Sequence, residues 1–427
     1  MTSKFETQKQ SGDPYSFDQD FDQEKVVGHG HGEREGSSFG AYFNIVCVIA
    51  GTGTLQLPYS FGQCGWIGIL LILLAGAIAI FTGNLLIKCL YYKDGERLSS
   101  YPEIGLASLG PIGKYVIMVL HYSISLGGSC VYISIAGTGT GPLVRNLGPD
   151  IPDVLWVIIA AVLVCLPFVL VKSMKEVALL AAFGAVSTLV LVVVVVAVGL
   201  VDFPNQIDNT HQVVVWSQVP VAMGSICFSF GGNVVYPHVE SAMKNPQSWA
   251  KVLFLAIASI VVMYLMIAIV GYHVYGESSE SPIYDSLPSN PATTVAILML
   301  VAHVILAAPI MLTAFALEVE EAFNINVETM GKSREFLVRA LLRSGTVVAI
   351  TVPAIFLPVK LLMSLVGSLS NSLIIFVFPI VCYWRLFGIR AMNWPSLIFS
   401  GICIVVGIVA CICGTTGAIA DLIKHFS

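Results

Sequence analysis

The stretch AGTGTLQLPYSF, residues 50–61, interrupts an apolar segment that is otherwise long enough to span a membrane. Within it stand two glycines, two threonines, a glutamine and a proline. Glycine costs about 1 kcal/mol and proline about 3 kcal/mol in a helix interior, and Pro58 also removes the hydrogen bond to the carbonyl of Thr54. Backbone freed in this way is tolerated at membrane depth only where it lines a cavity or is buried in protein. The stretch therefore predicts a broken helix, with close packing of small residues as the alternative explanation.

The composition of the whole chain is that of a membrane protein. Of 427 residues, 56% are hydrophobic and 11% are charged, and the mean hydropathy is +0.85. Soluble domains carry about 25% charged residues. The cysteines lie mostly inside apolar runs, and no paired spacing suggests a disulfide or a zinc site. We therefore expect an all-α integral membrane protein surrounded by lipid, with no cofactor, no metal site and no nucleic-acid partner; whether it has an obligate protein partner is left open by the sequence.

Apolar segments of spanning length recur along the chain after a polar N-terminal stretch. Residues 1–38 are predicted to form a disordered tail because they are polar and poor in apolar side chains. Residues 39–427 are predicted to form one membrane domain. A spanning helix needs about 20 apolar residues, and about eleven candidates occur, of which the first and the sixth are interrupted. The candidates are 40–65, 66–92, 112–143, 153–172, 177–201, 216–238, 250–275, 292–319, 336–357, 361–386 and 395–421.

The distribution of lysine and arginine predicts the orientation of these spans. If the N-terminus is placed in the cytosol, only Arg145, Lys360 and Lys424 of the 21 basic residues lie outside. Cytoplasmic loops carry an excess of Lys and Arg in membrane proteins. We therefore predict a cytosolic N-terminus and an odd number of spans.

The sixth span contains a second interruption, in FSFGGNVVYP, residues 228–237. It combines adjacent glycines with polar Ser229 and Asn233. The two interruptions stand in the first helix of each of two five-helix halves, and one of these helices starts inside while the other starts outside. Interrupted helices at matching positions of two halves point to the midplane site of a secondary transporter. Half-helix N-termini attract a carboxylate, and freed carbonyls accept hydrogen bonds from an ammonium. A zwitterionic amino acid carries both of these groups.

Three stretches resemble one known family: GTGTLQLPYSFGQCGW, SSYPEIGLASLGPIGKY and FSFGGNVVYPHVESAMKNP. The chain is similar to the amino acid/auxin permease family, and most similar to its vacuolar and vesicular neutral amino acid branch. The resemblance implies a leucine-transporter-type fold with two inverted repeats, about 40–201 and 216–386, and an extra helix, about 395–421. It also implies a secondary active amino acid transporter, a symporter or antiporter coupled to protons or sodium. The vacuolar membrane is the location that it favours, with the plasma membrane as the alternative.

The resemblance also implies where the substrate binds. Members of the family place the substrate backbone against the broken parts of helices one and six. The matching positions in this sequence are Gly51, Thr52, Gly53, Thr54, Phe228, Ser229, Phe230, Gly231 and Gly232.

Polar residues inside the other spans are functional candidates by default. In this fold an aromatic residue of helix three often caps the substrate, and Tyr122, Ser125 and Tyr132 are the candidates; a packed tyrosine with a satisfied hydroxyl is the alternative. His303 lies deep in helix eight, where a histidine can titrate in the physiological range, so it is the candidate proton carrier; a neutral histidine hydrogen-bonded to a neighbour is the alternative. Thr313 is the candidate hydroxyl for a sodium site.

Charged residues near the cytosolic ends have less specific explanations. We expect Glu318, Glu320 and Glu321 to be solvated or paired with Arg339 and Arg343 rather than to bind ions. His238 and Glu240 end helix six; they either form an inner gate or cap a loop.

Two functional classes remain open after these observations. The first is a proton-coupled transporter of neutral amino acids that works by alternating access around the two breaks. The second is a transporter-like amino acid sensor that signals through its N-terminal tail. An enzyme is disfavoured because no metal cluster, paired intramembrane carboxylates or nucleophile–base pair stands out, and a channel because no ring of like charges appears.

Overall fold

The computed structural model describes residues 36–93, 96–145, 151–171, 178–206 and 209–426, and most of them are helical. Within these ranges there is no strand, and β-type backbone pairing is limited to two isolated bridges, Gly36–Met243 and Lys93–Glu96. The helices are α1 (Ser38–Ile49), α2 (Leu57–Cys64), α3 (Gly68–Leu90), α4 (Tyr101–Arg145), α5 (Asp153–Leu170), α6 (Ala178–Asp202), α7 (Val219–Ser229), α8 (Tyr236–Ala242), α9 (Trp249–Tyr275), α10 (Pro291–Ala322), α11 (Val327–Met330), α12 (Lys332–Phe356), α13 (Val359–Leu365), α14 (Ser372–Phe376), α15 (Phe378–Phe387) and α16 (Trp394–Phe426).

Most of the predicted tail, residues 1–35, lies outside the described residues, so its disorder stays a prediction. Helix α1 begins at Ser38, with the side chain of Ser37 accepting a hydrogen bond from the amide of Gly40. A serine in this position satisfies one of the free amides of the first turn. The first apolar helix therefore begins at Ser38, the last residue of the polar stretch.

The structure interrupts the same two spans that the sequence singles out. Nine helices in the described ranges are long and apolar enough to cross a membrane, and α1 joined to Gly53–Cys64 makes a tenth span, bent by 47°. At the predicted sixth span stand two shorter helices, α7 of 11 residues and α8 of 7 residues. The chain is therefore a multi-pass membrane protein, and the broken pair α7–α8, counted as one span, brings these ten to the eleven that the sequence predicts.

The glycines, and not the prolines, mark the breaks. Helix α1 ends at Ile49, before Gly51, and a 3-10 turn over Thr52–Gln56 leads into α2. Pro58 lies in the first turn of α2, where a missing N–H costs little, so the expectation that it disrupts the helix is wrong. Pro237 has the same position in α8. In each span the helix stops near glycine and the proline helps to start the next helix.

The broken spans lie inside the bundle. Helix α1 packs on α6 and α9, α2 packs on α7 and α9, and α10 packs on α4 and α6. The spans α5, α12 and α16 are the least buried, and they expose large apolar side chains such as Leu166, Leu341 and Ile412. An exposed apolar surface of this kind faces lipid. The polar backbone of both breaks is thereby kept away from the lipid.

Arginine–glutamate pairs gather at one end of the bundle, which we call the basic end. Arg343 of α12 lies with its Nε 2.7 Å from Glu320 Oε1 of α10, so the predicted pairing of this arginine with helix eight is confirmed. Arg97 lies with Nη2 2.8 Å from Glu240 Oε2 and ties the loop after α3 to α8. A buried ion pair of this kind leaves a costly isolated charge if one partner is removed.

Two of the predicted pairings are different in the structure. Arg339 pairs with Glu335, four residues earlier in α12, at 2.8 Å. This spacing places the two side chains on one helix face, so Arg339 pairs with Glu335 of its own helix and not with the acids of α10. Glu318 pairs with neither arginine in the described structure; its charged neighbours there are the histidines His121 and His238.

Candidate functional site

The two breaks are bonded directly to each other. The hydroxyl of Ser229, the last residue of α7, donates to the carbonyl of Gly53 at 2.9 Å. The side-chain amide of Gln56 donates to the backbone carbonyl of Ser225 at 2.8 Å. The closeness depends on glycine, because a Cβ placed on Gly53 would overlap the Cα of Ser229. The structure therefore brings together the two segments that the sequence predicts to hold the substrate.

Two tyrosine hydroxyls satisfy carbonyls at the ends of the half-helices. A helix end leaves its last carbonyls without backbone partners. Tyr132 of α4 donates to the carbonyl of Val48 at 3.0 Å. Tyr264 of α9 donates to the carbonyl of Ile49 at 2.6 Å and also reaches the carbonyl of Ser229. Tyr264 thus joins both breaks, a role that sequence reasoning missed; its signal is a lone hydroxyl in an apolar run, VVMYLMIAIV.

Tyr264→Phe is expected to destabilise the protein and to slow transport. The substitution removes the only atom of this side chain that bonds the carbonyls of Ile49 and Ser229, and an unsatisfied buried acceptor costs about 1–3 kcal/mol. Thermal unfolding in detergent and flux in proteoliposomes measure the two effects. Tyr236→Phe is the matched control, because the Tyr236 hydroxyl is buried without a hydrogen-bond partner in the described structure. Equal melting temperatures for the two variants would contradict the bridging role of Tyr264.

A small cavity of about 20 Å³ lies between the breaks. This is space for about one water molecule, so an amino acid fits only if the walls move. Among the residues that the structure describes, no charged side chain lines the cavity. Its walls are Val48, Ile49 and Gly53 near the first break, Phe228 and Gly231 at the second, and Ile124, Gly128, Tyr132, Met311, Val366 and Asn371 around them.

Two asparagines at the breaks have unused hydrogen-bonding atoms. Asn371, in the π-helical segment Val366–Asn371 that follows α13, donates through Nδ2 to the carbonyl of Phe228 at 3.3 Å. Its Oδ1 is buried without a partner. Asn233, in the second break, is fully buried, and neither of its amide atoms has a partner in the described structure. Buried polar groups are nearly always satisfied, so such groups call for a ligand or water.

His303 points its free nitrogen at the first break. Its Nδ1 lies 2.9 Å from the carbonyl of Gly184 and 2.7 Å from the hydroxyl of Thr188, both on α6. A carbonyl only accepts, so the proton of the neutral ring sits on Nδ1 and Nε2 keeps its lone pair. Nε2 is buried without a partner, and a Cβ on Gly51 would lie 3.1 Å from it. The ring is thus held in one tautomer, with its basic atom facing the break.

The other predicted residues are distributed around this centre. Gly232 packs against Ile49, and the ring of Phe230 lies 5.3 Å from that of Tyr264. Thr54 is buried. The side chain of Thr52 lies outside the described residues.

Two predicted residues lie apart from the cavity. Tyr122 packs its ring 4.9 Å from Phe315, near the basic end, and it does not line the cavity; Tyr132, ten residues later in α4, does. Thr313 is fully buried and its hydroxyl has no partner in the described structure. Substrate and ion roles for these two residues stay predictions.

Known proteins provide an independent comparison. A family model described as transmembrane amino acid transporter protein matches residues 34–420. The amino acid transporter AVT1E of Arabidopsis thaliana is 30% identical over 396 residues, which cover 90% of this chain and 73% of that protein. The vesicular inhibitory amino acid transporter of Xenopus tropicalis is 28% identical over 419 residues, which cover 93% of this chain and 79% of that protein.

A solved structure supports the fold. The manganese transporter of Eremococcus coleocola, in complex with an aromatic bis-isothiourea substituted compound, aligns with a TM-score of 0.53 at 14% identity. The alignment covers 91% of this chain and 87% of that one, and the predicted leucine-transporter-type fold is confirmed. The likeness extends to the fold alone. Among the described residues of this chain, no group of three or more His, Cys, Asp or Glu side chains is placed to hold a metal ion.

Proposed function

Because this chain belongs to the transmembrane amino acid transporter family, we propose that it carries neutral amino acids by proton-coupled secondary active transport. Family membership confirms the resemblance to the amino acid/auxin permeases and the expectation that the chain is not an enzyme. The single observation that carries the proposal is the direct bonding of the two broken spans around an uncharged cavity.

The chemistry of the breaks suits the common part of every amino acid. The carbonyls of Val48 and Ile49 each have a second lone pair beyond the one that a tyrosine uses, and such atoms attract an ammonium group. The unused amide of Asn233 adds a donor and an acceptor in the second break. These groups are neutral, so neither the ammonium nor the carboxylate of a zwitterion meets a like charge.

The small size of the cavity supports alternating access. A space of about 20 Å³ admits water and no amino acid, so binding requires the half-helices or their neighbours to move. Single side chains, Ser229, Gln56 and Tyr264, make the bonds across the breaks. Single side-chain hydrogen bonds break and re-form more readily than a continuous helix bends. They therefore favour a rearrangement centred on the breaks.

Coupling to protons rests on His303. Its unpartnered Nε2 faces Gly51, so protonation changes the charge at the first break by one unit. A sodium site that uses the Thr313 hydroxyl is the alternative. We place the protein in the vacuolar membrane with a cytosolic N-terminus, supported by the basic residues and by a relative named as vesicular; the plasma membrane is the second choice.

Reconstitution tests the transport proposal against the sensor alternative. Proteoliposomes are screened for uptake of neutral, acidic and basic amino acids under a proton gradient and, separately, a sodium gradient. We expect saturable uptake of neutral amino acids that depends on the proton gradient. Saturable binding without flux would contradict transport and favour the sensor. In a sensor, the N-terminal tail would connect to the second broken span at Gly36. The backbone amide of Gly36 donates to the carbonyl of Ala242, at the end of α8, at 2.8 Å.

Asn371→Asp is expected to change the substrate class. The carboxylate would add a charge to an otherwise uncharged cavity, so affinity for neutral amino acids should fall about tenfold or more, as for a mispaired buried charge. Lysine and arginine should begin to compete. Competition assays with labelled substrate measure both effects, and Asn393→Asp, outside the cavity, is the control. An unchanged profile would exclude Asn371 from substrate selection.

A further inference from the structure

A buried carboxylate at the basic end lies between two histidines of different helices. Glu318 of α10 has its Oε1 3.6 Å from His121 Nε2 of α4 and 3.4 Å from His238 Nε2 of α8. The phenol of Tyr122 faces the same carboxylate. His121 is fully buried, and the side chain of Glu318 is 5% exposed. Three helices therefore meet at one titratable cluster, which we call the carboxylate–histidine cluster.

The described structure gives Glu318 no permanent positive partner. The neighbours that affect its charge are His121, His238 and Tyr122. Two other acids of α10 and α8 are paired elsewhere, Glu320 with Arg343 and Glu240 with Arg97. An isolated buried carboxylate is very costly, so the cluster is stable only when a proton is shared among its members.

His121 and His238 are suited to hold this proton. Histidine changes charge between about pH 5 and pH 8. Neither ring nitrogen of His121 has a hydrogen-bond partner in the described structure, so its favourable polar contact is the one with Glu318. With one added proton the cluster is neutral, and without it one negative charge is buried.

We propose that Glu318, His121 and His238 form a proton-binding site that closes the basic end of the bundle. The proposal deepens the proton-coupled transport proposed above. His238 follows directly after Pro237 in α8, the second half of the broken sixth span. Loss of the proton leaves an unbalanced charge that draws water between α8 and the pair α4 and α10, and α8 separates from them. The Arg97–Glu240 pair also ties α8 to the loop after α3, so it limits how far α8 moves.

The cluster is distinct from His303. Glu318 lies fifteen residues later in α10, about 22 Å along the helix axis at 1.5 Å per residue. His303 faces the first break, and the cluster holds the inner half of the second. A proton at each site has a different consequence: one changes the charge beside the substrate, and the other changes access from the basic end.

Glu318→Gln tests the proposal in proteoliposomes. Glutamine keeps the size and one accepting oxygen but no longer changes charge. We expect uptake driven by a proton gradient to fall about tenfold, within the usual range of coupling energies. Exchange of amino acid at equal pH on both sides also passes through the opened basic end, so in Glu318→Gln its rate should lose the dependence on pH that wild type shows. Glu321→Gln, an exposed acid on the same helix, is the control and should match wild type in both assays.

Hydrogen exchange tests the closure without relying on flux. Peptides that cover α8 are followed at about pH 5.5 and about pH 7.5, on either side of the histidine range, with correction for the intrinsic pH dependence of amide exchange. Wild-type α8 should be more protected at the lower pH, and Glu318→Gln should remove the difference. Unchanged protection of wild-type α8 between the two pH values, or full gradient-driven uptake by Glu318→Gln, would overturn the proposal. Absence of flux in the wild type would contradict the transport function alone, since the exchange measurement stands without it.

Discussion

Gly53→Ala is expected to lower amino acid flux about ten- to a hundredfold, the equivalent of the about 1–3 kcal/mol that overpacking costs. The added methyl group would overlap the Cα of Ser229 and approach its Cβ to 2.8 Å. Backbone atoms cannot rotate out of the way, so the two breaks must separate. The separation also removes the hydrogen bond from the Ser229 hydroxyl to the carbonyl of Gly53. Flux per inserted protein in proteoliposomes measures the loss.

Two further glycines calibrate this result. A Cβ on Gly51 would lie 2.5 Å from the hydroxyl of Tyr132 and 3.1 Å from His303 Nε2. Both are ends of side chains that can turn aside, so Gly51→Ala should lose less activity. A Cβ on Gly401 of α16 meets nothing within 4 Å, so Gly401→Ala should match wild type. If Gly53→Ala transports as well as Gly401→Ala, the close approach of the breaks has no role in transport.

His303→Gln is expected to abolish most concentrative uptake while leaving substrate binding nearly intact. Glutamine is polar and of similar length, but it takes up no proton, so the gradient no longer drives the cycle. A loss of about ten- to a hundredfold in gradient-driven uptake is the range of common coupling energies. The measurement compares uptake under a proton gradient with binding of labelled substrate at equal pH.

His273→Gln provides the control for this experiment, because His273 is exposed at the end of α9, beside Phe203. It should leave both uptake and binding unchanged. Full gradient-driven uptake by His303→Gln would exclude His303 as the proton carrier. Uptake driven by sodium and lost in Thr313→Val would move ion coupling to the hydroxyl of α10.

Much of the fold was predictable because hydropathy is summed over a whole span. About 20 apolar residues identify a membrane helix whatever their neighbours are, so most spans were predicted within a few residues. The adjacent glycines of FSFGGNVVYP interrupt a helix through their own backbone preferences. Local signals of this kind located both breaks, although they assigned Pro58 the wrong part in the first.

The partners of the breaks were much less predictable. Tyr264 bonds Ile49, 215 positions away in the sequence, and no local pattern links the two. Tyr122 and Tyr132 have similar sequence surroundings in α4, yet only Tyr132 reaches the cavity. They lie about 15 Å apart along the helix axis, so the depth at which α4 docks decides which of them approaches the break.

The sequence by itself determined a multi-pass helical membrane protein, its family, and two interrupted spans at glycine-rich stretches. These properties depend on composition and on backbone preferences, which are local. Only the tertiary structure decided that Ser229 and Tyr264 join the breaks, that His303 turns Nε2 toward Gly51, and that Glu318 meets two histidines instead of an arginine. The reason is that a side chain's partner depends on the depth, tilt and rotation of two packed helices, and those are set by the whole bundle.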